Sequence, residues 1–193
     1  MPKVAGSGQA TVLTPKQLDL LIDAAPSPEH RAIWSIQRFV GSRIQETLLL
    51  SWNCIHEERI TFQKKTTKTK ETREPLMDPR LKNELEDYRI FWVAKYEKQP
   101  SGKEFLFPSR YGTYKPMTRQ NADKVLRTTL INCGLPSGCS LHTFRRSLAS
   151  QMHRKGVGVK VISKFTGHKS LSQLSEYIDI EQADEMKALA ALH

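Results

Sequence analysis

The stretch of sequence that decides the fold is Leu141–Ile180, LHTFRRSLASQMHRKGVGVKVISKFTGHKSLSQLSEYIDI. Near its start, His142 and Arg145 stand three positions apart in a segment that is typical of a helix N-terminus. Side chains at this spacing project from the same face of a helix. The first part of the stretch therefore places two basic side chains next to each other.

The second part of the stretch adds two more polar side chains near helix ends. A helical run from Val159 to Phe165 stops at Gly167, and His168 follows immediately. Tyr177 comes nine residues after His168. Together with the pair above, this gives a His, an Arg, a second His and a Tyr, a set suited to converge on one phosphate group.

The charge of the chain points to a polyanionic partner. Its 193 residues carry 30 Lys and Arg against 20 Asp and Glu, a formal charge of +10. An excess of this size in a small chain is typical of a protein that binds nucleic acid. The charge is also uneven, because residues 64–73, KKTTKTKETR, are basic whereas residues 176–185 are rich in acidic side chains.

Length and composition predict one cytoplasmic domain. A chain of 193 residues can fill a single core, and no apolar run approaches the length that spans a bilayer. The N-terminus MPKVAGSGQA lacks the apolar stretch of a signal peptide. Cys54, Cys133 and Cys139 are odd in number and lack metal-like spacing, so we expect reduced thiols.

Most of the chain is predicted to be helical. Residues 1–13 have no periodicity and are expected to be a flexible lead-in or the remnant of a linker. Capping residues followed by apolar stripes predict helix starts at Thr14, Ser27, Ser42, Asp78 and Thr118. In one of them, Ser42 and Gln45 form a capping-box pattern, which puts Arg43 in the first turn. A last helix is predicted over about 181–192.

A small sheet is predicted between these helices. Arg59–Gln63, RITFQ, alternates and is rich in β-branched residues, and Thr72–Met77 is interpreted as the returning strand. Together they form a hairpin over about 59–77 with a basic turn at Lys64–Lys70, while Ser109–Pro116 is expected to be a loop. The predicted fold class is α+β, mainly helical with a small antiparallel β-sheet to one side.

Cleavage of a phosphodiester without a metal requires a nucleophile, cationic groups for the non-bridging oxygens and an acid for the leaving oxygen. A tyrosine phenolate can attack phosphorus, so Tyr177 is the candidate nucleophile. Arg43 and Arg145 can each present a planar fork to phosphate oxygens. His168 can donate a further bond and His142 can accept the tyrosine proton. The basic turn can supply the acid.

Three short motifs lie in order along the chain, GSRIQE at Gly41–Glu46, HTFR at His142–Arg145 and TGHKSLSQLSEY at Thr166–Tyr177. Together they resemble the catalytic signature of the tyrosine recombinases, the phage integrase family. In that family an Arg, a hairpin Lys, an HxxR pair, a His or Trp and a later Tyr form the active site. The resemblance extends from about Thr14 to Leu192. An ordered set of motifs is far more specific than any single one.

The resemblance implies a role for each matched residue. The implied catalytic residues are Arg43, Lys68, His142, Arg145, His168 and Tyr177. Arg43 and Arg145 match the arginines that hold the scissile phosphate, and Glu46 matches the acid that supports the first of them. His142 matches the family's proton acceptor, and Tyr177 matches its nucleophile.

The position of the lysine stays open among three residues. The hairpin pattern of the family fits TKTKETREPL best with Lys68, and Lys65 and Lys70 are the alternatives. The residues that we expect to contact DNA are Lys64, Lys65, Lys70, Arg73 and Arg146. Arg146 departs from the family pattern, in which many members carry a second His after the HxxR arginine.

The resemblance therefore implies the catalytic domain of a site-specific DNA recombinase or integrase, over residues 14–193. Such an enzyme forms a 3′-phosphotyrosyl intermediate on double-stranded DNA and needs no metal or cofactor. We expect a homotetramer on DNA through the C-terminal helix, in the cytoplasm and on the nucleoid. The length fits an excised catalytic domain or a compact recombinase similar to the fimbrial DNA-inversion enzymes. The alternatives are a type IB topoisomerase-like relaxing enzyme and a non-catalytic DNA-binding regulator.

Overall fold

The computed structural model describes residues 9–67, 70–168 and 170–175. The helices in this part are α1 (Pro15–Asp23), α2 (Pro28–Val40), α3 (Ile44–Leu48), α4 (Pro79–Tyr96), α5 (Arg119–Asn132), α6 (Thr143–Arg154), α7 (Val159–Thr166) and α8 (Leu171–Ser175). A short 3₁₀ helix covers Trp52–Cys54, and the strands β1 (Pro108–Ser109) and β2 (Gly112–Pro116) pair antiparallel. None of these helices is long and apolar enough to cross a membrane. The helix predicted over 181–192 lies outside the described residues.

The predicted starts of α1, α2, α4 and α5 are confirmed. Thr14 and Gln17 form a reciprocal capping box, in which the Gln17 backbone N–H donates to Thr14 Oγ1 at 3.3 Å. At α4 the Asp78 carboxylate accepts the backbone N–H of Arg80 at 2.9 Å, and the helix runs for the predicted 18 residues. Because a cap satisfies backbone N–H groups that have no partner within the helix, the local sequence is enough to set these starts.

The start of α3 differs from the prediction. The sequence indicated a capping box between Ser42 and Gln45, but the N-cap residue is Arg43 and the capping side chain is Glu46. The Glu46 carboxylate accepts the Arg43 backbone N–H at 3.1 Å. The Ser42 hydroxyl is instead buried and bonds Thr47 Oγ1 at 2.6 Å. Arg43 therefore lies before the helix, on extended backbone, rather than in its first turn.

The two-stranded sheet lies in a different segment from the predicted one. β1 and β2 pair where a loop was expected. Within the described residues of the predicted hairpin, the backbone forms isolated antiparallel bridges, at Arg59–Leu76 and Phe62–Arg73. Pro75 lies between these bridges and has no N–H to donate, so a continuous ladder is interrupted. The fold class is nevertheless the predicted one, mainly helical with a small antiparallel sheet.

The central element of the fold is α2. Its side chains are buried on almost every face, and it packs against α4 and α6. Trp34 is fully buried and stacks on Phe144 of α6, with ring centroids 6.4 Å apart. A second, smaller cluster joins Ala149, Ile162 and Leu174, which belong to α6, α7 and α8. The large core therefore positions the end of α2, and the small cluster positions the end of α7.

The free thiols predicted for the three cysteines are confirmed, since Cys54, Cys133 and Cys139 form no disulfide. Cys54 and Cys139 are buried, whereas Cys133 is half-buried. Burial raises the pKa of the Cys139 thiol, with a smaller opposing effect from a hydrogen bond with Thr143. The Cys139 thiol is therefore protonated at neutral pH and contributes to the fold as a small apolar side chain.

Candidate active site

Two helix C-termini face the candidate site. α2 is followed by Gly41 and α7 by Gly167, and both glycines adopt the left-handed conformation, with φ of 64° and 75°. Their backbone N–H groups donate to the carbonyls of Gln37 and Ser163, at 3.0 and 2.8 Å. Helix ends of this kind leave carbonyl oxygens without a partner inside the helix and carry partial negative charge. The site is therefore built around two negative helix ends.

Gly41 permits the close approach of these elements. A Cβ atom on Gly41 would lie 2.9 Å from Leu148 Cδ2 and 3.2 Å from Thr166 Cγ2. The first distance is shorter than real Cβ contacts allow, and the left-handed φ also disfavours a side chain. The end of α2 therefore contacts α6 and α7 directly because it carries no side chain at this position.

Arg145 of α6 joins the two helix ends. Its Nη1 donates to the Gly41 carbonyl at 2.7 Å and to the Thr166 carbonyl at 2.5 Å, and its side chain is 1% exposed. Burying a guanidinium is unfavourable unless hydrogen bonds compensate. The negative ends of α2 and α7 supply that compensation. Arg145 is thus held in a fixed direction by backbone atoms from two separate segments.

Arg43 is held by Glu46, three residues further along the chain. The Glu46 side chain is 3% exposed, and its Oε1 accepts from Arg43 Nη1 at 2.8 Å. Its other oxygen accepts the Arg43 backbone N–H, so one carboxylate fixes both the backbone and the side chain of Arg43. This geometry fits the supporting role predicted for Glu46.

Arg73 also reaches this carboxylate. Its Nη2 lies 3.5 Å from Glu46 Oε2. Its Nη1 donates to the carbonyls of Val40 and Phe165, at 3.3 and 2.6 Å. The side chain is 11% exposed, and its Cζ lies 4.4 Å from the centroid of the Phe62 ring. The guanidinium that the sequence assigned to DNA thus contacts protein groups, while the DNA contact itself stays a prediction.

His168 lies directly after the end of α7 and is 8% exposed. Its Nδ1 is 2.7 Å from Thr166 Oγ1, and that hydroxyl is also 2.6 Å from the Ile162 carbonyl. The hydroxyl has one proton, which it donates to the carbonyl one helical turn earlier, so Nδ1 carries the proton in the other bond. In the neutral ring, Nε2 is then the nitrogen with the lone pair.

The surroundings of His168 are strongly positive. Burial, followed by the nearby guanidiniums of Arg145, Arg43 and Arg73, lowers the pKa of His168 from 6.5 to about 3. The ring is therefore neutral at pH 7. All three arginines act on one imidazole, which places side chains from three distant segments around a common point. A cluster with this charge is suited to hold a phosphate group.

A cleft of about 430 Å³ opens beside the cluster. Its lining includes residues 71–76, the end of α7 and His168. A Cβ atom on Gly167 would lie 3.2 Å from Arg73 Cδ and Nε, so the arginine side chain packs tightly against the turn that follows α7. The cleft therefore gives access from the surface to His168 and Arg73.

Two of the other predicted residues are placed next to helix α6. His142 is its N-cap residue, as its place at a helix start predicts, and its side chain is exposed. Arg146 is half-buried, and its Nη1 donates to the Ala10 carbonyl at 2.6 Å. This contact attaches the segment before α1 to the helix that carries Arg145. The roles predicted for His142 and Arg146 are untested and stay predictions.

The basic turn and the nucleophile complete the predicted set. Lys64, Lys65 and Lys70 are exposed, as a role in contacting DNA requires. Lys68 and Tyr177 lie outside the described residues. Their predicted roles as general acid and nucleophile therefore rest on the motifs.

Thr166, which orients His168, has no role predicted from the motifs. A signal for it exists in the sequence, because Thr166 stands in the last turn of a helix and two residues before the His. A threonine at such a place can bond the carbonyl four residues earlier and still accept a second bond. The motif TGH therefore contains the orienting residue, the glycine that ends the helix and the imidazole itself.

The fold and the site together define a class of protein. Its members are mainly helical domains with a basic pocket, in which arginines from two motifs and a histidine lie at helix ends. A model of the phage integrase family matches residues 11–184. The chain belongs to this family, and the prediction made from its motifs is confirmed.

Both sequence relatives and solved structures resemble this chain. Tyrosine recombinase XerD of Corynebacterium glutamicum is 27% identical over 197 residues, which cover 96% of this chain and 62% of the relative. The structure of XerA recombinase matches with a TM-score of 0.78 at 17% identity, over 100% of this chain and 67% of that chain. XerH site-specific recombinase bound to its difH substrate matches with a TM-score of 0.75 at 19% identity, over 95% and 55% of the two chains.

These likenesses confirm the fold of a tyrosine recombinase catalytic domain. The chain spans 52% of the length of the first curated relative it matches and 62% of the second. The ligands and activities of these longer proteins are therefore considered for this chain only as proposals.

Proposed function

We propose that this chain is the catalytic domain of a site-specific DNA recombinase or integrase, which cuts and rejoins DNA through a 3′-phosphotyrosyl intermediate. The observation that carries the proposal is the convergence of Arg43 and Arg145 on His168, since both guanidiniums lower its pKa and Arg145 bonds the carbonyls of Gly41 and Thr166 beside it. Two planar guanidiniums and an imidazole at one point fit a single phosphodiester group. The family motif adds Tyr177 as the nucleophile.

The proposed reaction exchanges one phosphoester for another. The phenolic oxygen of Tyr177 attacks the scissile phosphorus, the bond from phosphorus to the 5′ oxygen breaks, and one strand is left with a free 5′ hydroxyl. His142 takes the phenolic proton, and Lys68 donates a proton to the leaving oxygen. Attack by a 5′ hydroxyl of a second duplex reverses these steps. The energy of the broken bond is therefore retained in the phosphotyrosyl ester.

The two arginines stabilise the charge that develops on the non-bridging oxygens. Arg145 is fixed by two backbone carbonyls, so its charge is in place before the reaction begins. Arg43 is more exposed, with 19% of its side chain accessible, and Glu46 orients it. We assign Arg145 to the floor of the site and Arg43 to direct contact with the incoming phosphate.

His168 takes its part only when the phosphate has bound. In the neutral ring Nε2 carries a lone pair, which does not suit an anionic oxygen. The negative charge of the phosphate offsets the three guanidiniums that lower the pKa of His168, so the pKa rises when DNA enters. The protonated ring then donates from Nε2 to a phosphate oxygen, as the sequence predicted.

We further propose that the partner is double-stranded DNA and that the chain assembles on it as a tetramer through residues 181–192. The net charge of +10 supports the first part. A lambda integrase dimer has been solved bound to a core site, and XerH bound to difH. Sedimentation of the chain with and without residues 181–193, on the same duplex, tests the assembly. A complex of unchanged size after truncation would exclude this helix as the contact.

The proposed limits of the domain follow the family resemblance, whereas the leading segment and the location follow from the sequence pattern and composition. Residues 14–193 form the catalytic domain, and residues 1–13 precede it as a leading segment. The chain acts in the cytoplasm and joins the nucleoid when it binds DNA.

The experiment that tests the activity is covalent capture on nicked DNA. Because the target site is unknown, the chain is incubated with a pool of labelled duplexes that share flanks and differ in a randomised centre with a nick. Loss of the short fragment beyond the nick traps the phosphotyrosyl product. We expect a labelled band that survives denaturing electrophoresis and disappears after protease treatment. Sequencing of the captured DNA then gives the preferred site.

The matched variant removes only the attacking oxygen. Tyr177→Phe keeps the ring, so we expect it to bind the captured duplex with unchanged affinity and to give no adduct. Retention of the adduct by Tyr177→Phe would exclude this nucleophile. Binding of DNA without any adduct from the wild-type chain would identify a non-catalytic regulator instead.

A further inference from the structure

Arg73 lies on the chain that returns from the basic turn, yet its side chain points inward. Its backbone N–H and carbonyl exchange hydrogen bonds with Phe62, at 3.0 and 2.8 Å. Its guanidinium lies over the Phe62 ring and is 11% exposed. A residue with this exposure is poorly placed to contact a DNA backbone, in contrast to the exposed Lys64 and Lys70.

The contacts of the Arg73 guanidinium connect three parts of the candidate active site. The shortest, 2.6 Å, is to the Phe165 carbonyl in the last turn of α7. A longer one, 3.3 Å, is to the Val40 carbonyl at the end of α2. The third, at 3.5 Å, is the ion pair with the Glu46 oxygen that also accepts the Arg43 backbone N–H.

The same two helix ends are therefore bridged by two arginines. Arg145 bonds the carbonyls of Gly41 and Thr166, and Arg73 bonds the carbonyl that precedes each of them. Arg43 and Arg73 in addition share one carboxylate. The positive charge of Arg73 repels that of Arg43, so placing it there is unfavourable. Burial lowers the pKa of Arg73 to about 10, Glu46 opposes this and Arg43 adds to it.

We propose that Arg73 is a positioning residue for strand cleavage, which sets the direction of Arg43 through Glu46 and fixes the end of α7 that carries His168. The proposal depends on the cleavage activity proposed above. It also connects the basic turn to the pocket, because Arg73 is three residues from Lys70 along the chain. A small displacement of a positioned group is enough to slow a reaction strongly.

The test uses the wild-type chain and the duplex obtained by covalent capture. Arg73→Lys keeps the charge but loses the planar fork, and Arg73→Gln loses the charge. For each variant the single-turnover rate of adduct formation, the Kd for DNA and the melting temperature are measured, with rates taken well below melting. We expect the rate to fall by about tenfold or more, with a Kd within about twofold of wild type.

Arg38 provides a matched control. It is 7% exposed, its Nη1 donates to the Pro15 carbonyl at 3.1 Å and pairs with Asp19 at 2.9 Å, and it lies over the Phe39 ring. These are the same kinds of contact, but they join α1 to α2 instead of reaching the pocket. We expect Arg38→Lys and Arg38→Gln to lower the melting temperature while the cleavage rate stays close to wild type.

Two further measurements separate positioning from general support of the fold. The first is the rate of the double variant Arg73→Lys with Glu46→Gln. If Arg73 acts through Glu46, this rate is little lower than that of Glu46→Gln alone. The second measurement replaces one charged oxygen of the scissile phosphate by a methyl group, which makes the group neutral. Since the arginines then have less charge to stabilise, the penalty of Arg73→Gln should shrink on this substrate.

The outcomes that overturn the proposal are distinct. A rate that falls only as far as in the Arg38 variants of equal melting temperature would give Arg73 a purely structural role. A raised Kd with an unchanged rate on bound DNA would make it a DNA contact. If the rate losses of Arg73→Lys and Glu46→Gln add up in the double variant, Arg73 does not act on Arg43 through Glu46. Absence of any adduct from the wild-type chain would instead reject the cleavage activity itself, and this proposal with it.

Discussion

The ends of α2 and α7 are built in the same way but are held in place differently. Each helix is followed by a left-handed glycine, and each gives carbonyl oxygens to Arg145 and Arg73. α2 is surrounded by the large core, in which Trp34 is fully buried. α7 contributes Ile162 to a cluster of three buried hydrophobic side chains.

This difference indicates how the pocket divides into a fixed part and an adjustable part. Stability is not uniform across a protein, and segments with little buried apolar surface open more often than the core. The end of α2 is fixed by hydrophobic packing, whereas the end of α7 depends more on the arginines that bond its carbonyls. The residues that follow α7, including His168, belong to the less stable side.

The largest expected effect comes from removing the packing around α2. Trp34→Ala should reduce the free energy of unfolding by about 3–5 kcal/mol, because it leaves a large cavity in the main core. Urea denaturation measures the loss, and hydrogen exchange should show it in the helices that pack on the main core, including α2 and α4. Ile131→Ala, which alters a side chain that is 77% exposed, is the control and should change little. Loss of protection in α7 alone would contradict the comparison.

A smaller and more local effect is expected from the cluster under α7. Ile162→Ala should destabilise α7 and α8 by about 2–5 kcal/mol, while the global unfolding free energy falls by less because these helices open before the rest. Hydrogen exchange should lose protection at residues 159–175 and keep it in α2. Val161→Ala, on the same helix but 57% exposed, is the control. Equal loss of protection in α2 and α7 would show that the two ends are one unit.

The smallest effect, for a change of one pH unit, is the acid sensitivity that His168 confers. Its pKa is about 3 in the folded chain and 6.5 when unfolded, so between these values the unfolded chain binds more protons. The contribution of His168 to the unfolding free energy should therefore be fully present above pH 6.5. Below that pH it should decrease by about 1 kcal/mol per pH unit.

Comparison with His168→Gln isolates this contribution, since burial also lowers the pKa of His30 and gives a slope of the same sign. The variant should show a shallower decrease between pH 6 and pH 4, measured by urea denaturation at each pH. An identical slope in wild type and His168→Gln would mean that the imidazole is already solvated, and that the end of α7 is more open than the contacts of Thr166 indicate.

Local signals in the sequence were sufficient wherever a single turn decides the structure. Thr14, Asp78 and Thr118 cap their helices as predicted, because the bonds they make lie within three residues. The family motifs were likewise sufficient for the family and for the fold, and the described site brings Arg43, Arg145 and His168 together.

The sequence was insufficient where two local solutions compete or where a side chain acts across the fold. Ser42 and Arg43 are both followed three residues later by a suitable capping partner. Arg43 becomes the N-cap residue because the Ser42 hydroxyl is bonded to Thr47 instead. Arg73 reads as a basic residue of a hairpin, and its place in the site depends on the carbonyls of Val40 and Phe165. No periodicity in the sequence can indicate such a contact.

The balance of ions in the pocket has a consequence for the thermal behaviour of the chain. Among the described side chains, three guanidiniums surround a neutral imidazole, and Glu46 is the carboxylate that pairs with two of them. Their mutual repulsion opposes folding, and a bound anion relieves it. Any solute that binds the native form alone shifts the equilibrium toward that form. Binding of a nucleic-acid backbone, or even of sulfate, should therefore raise the melting temperature of the protein.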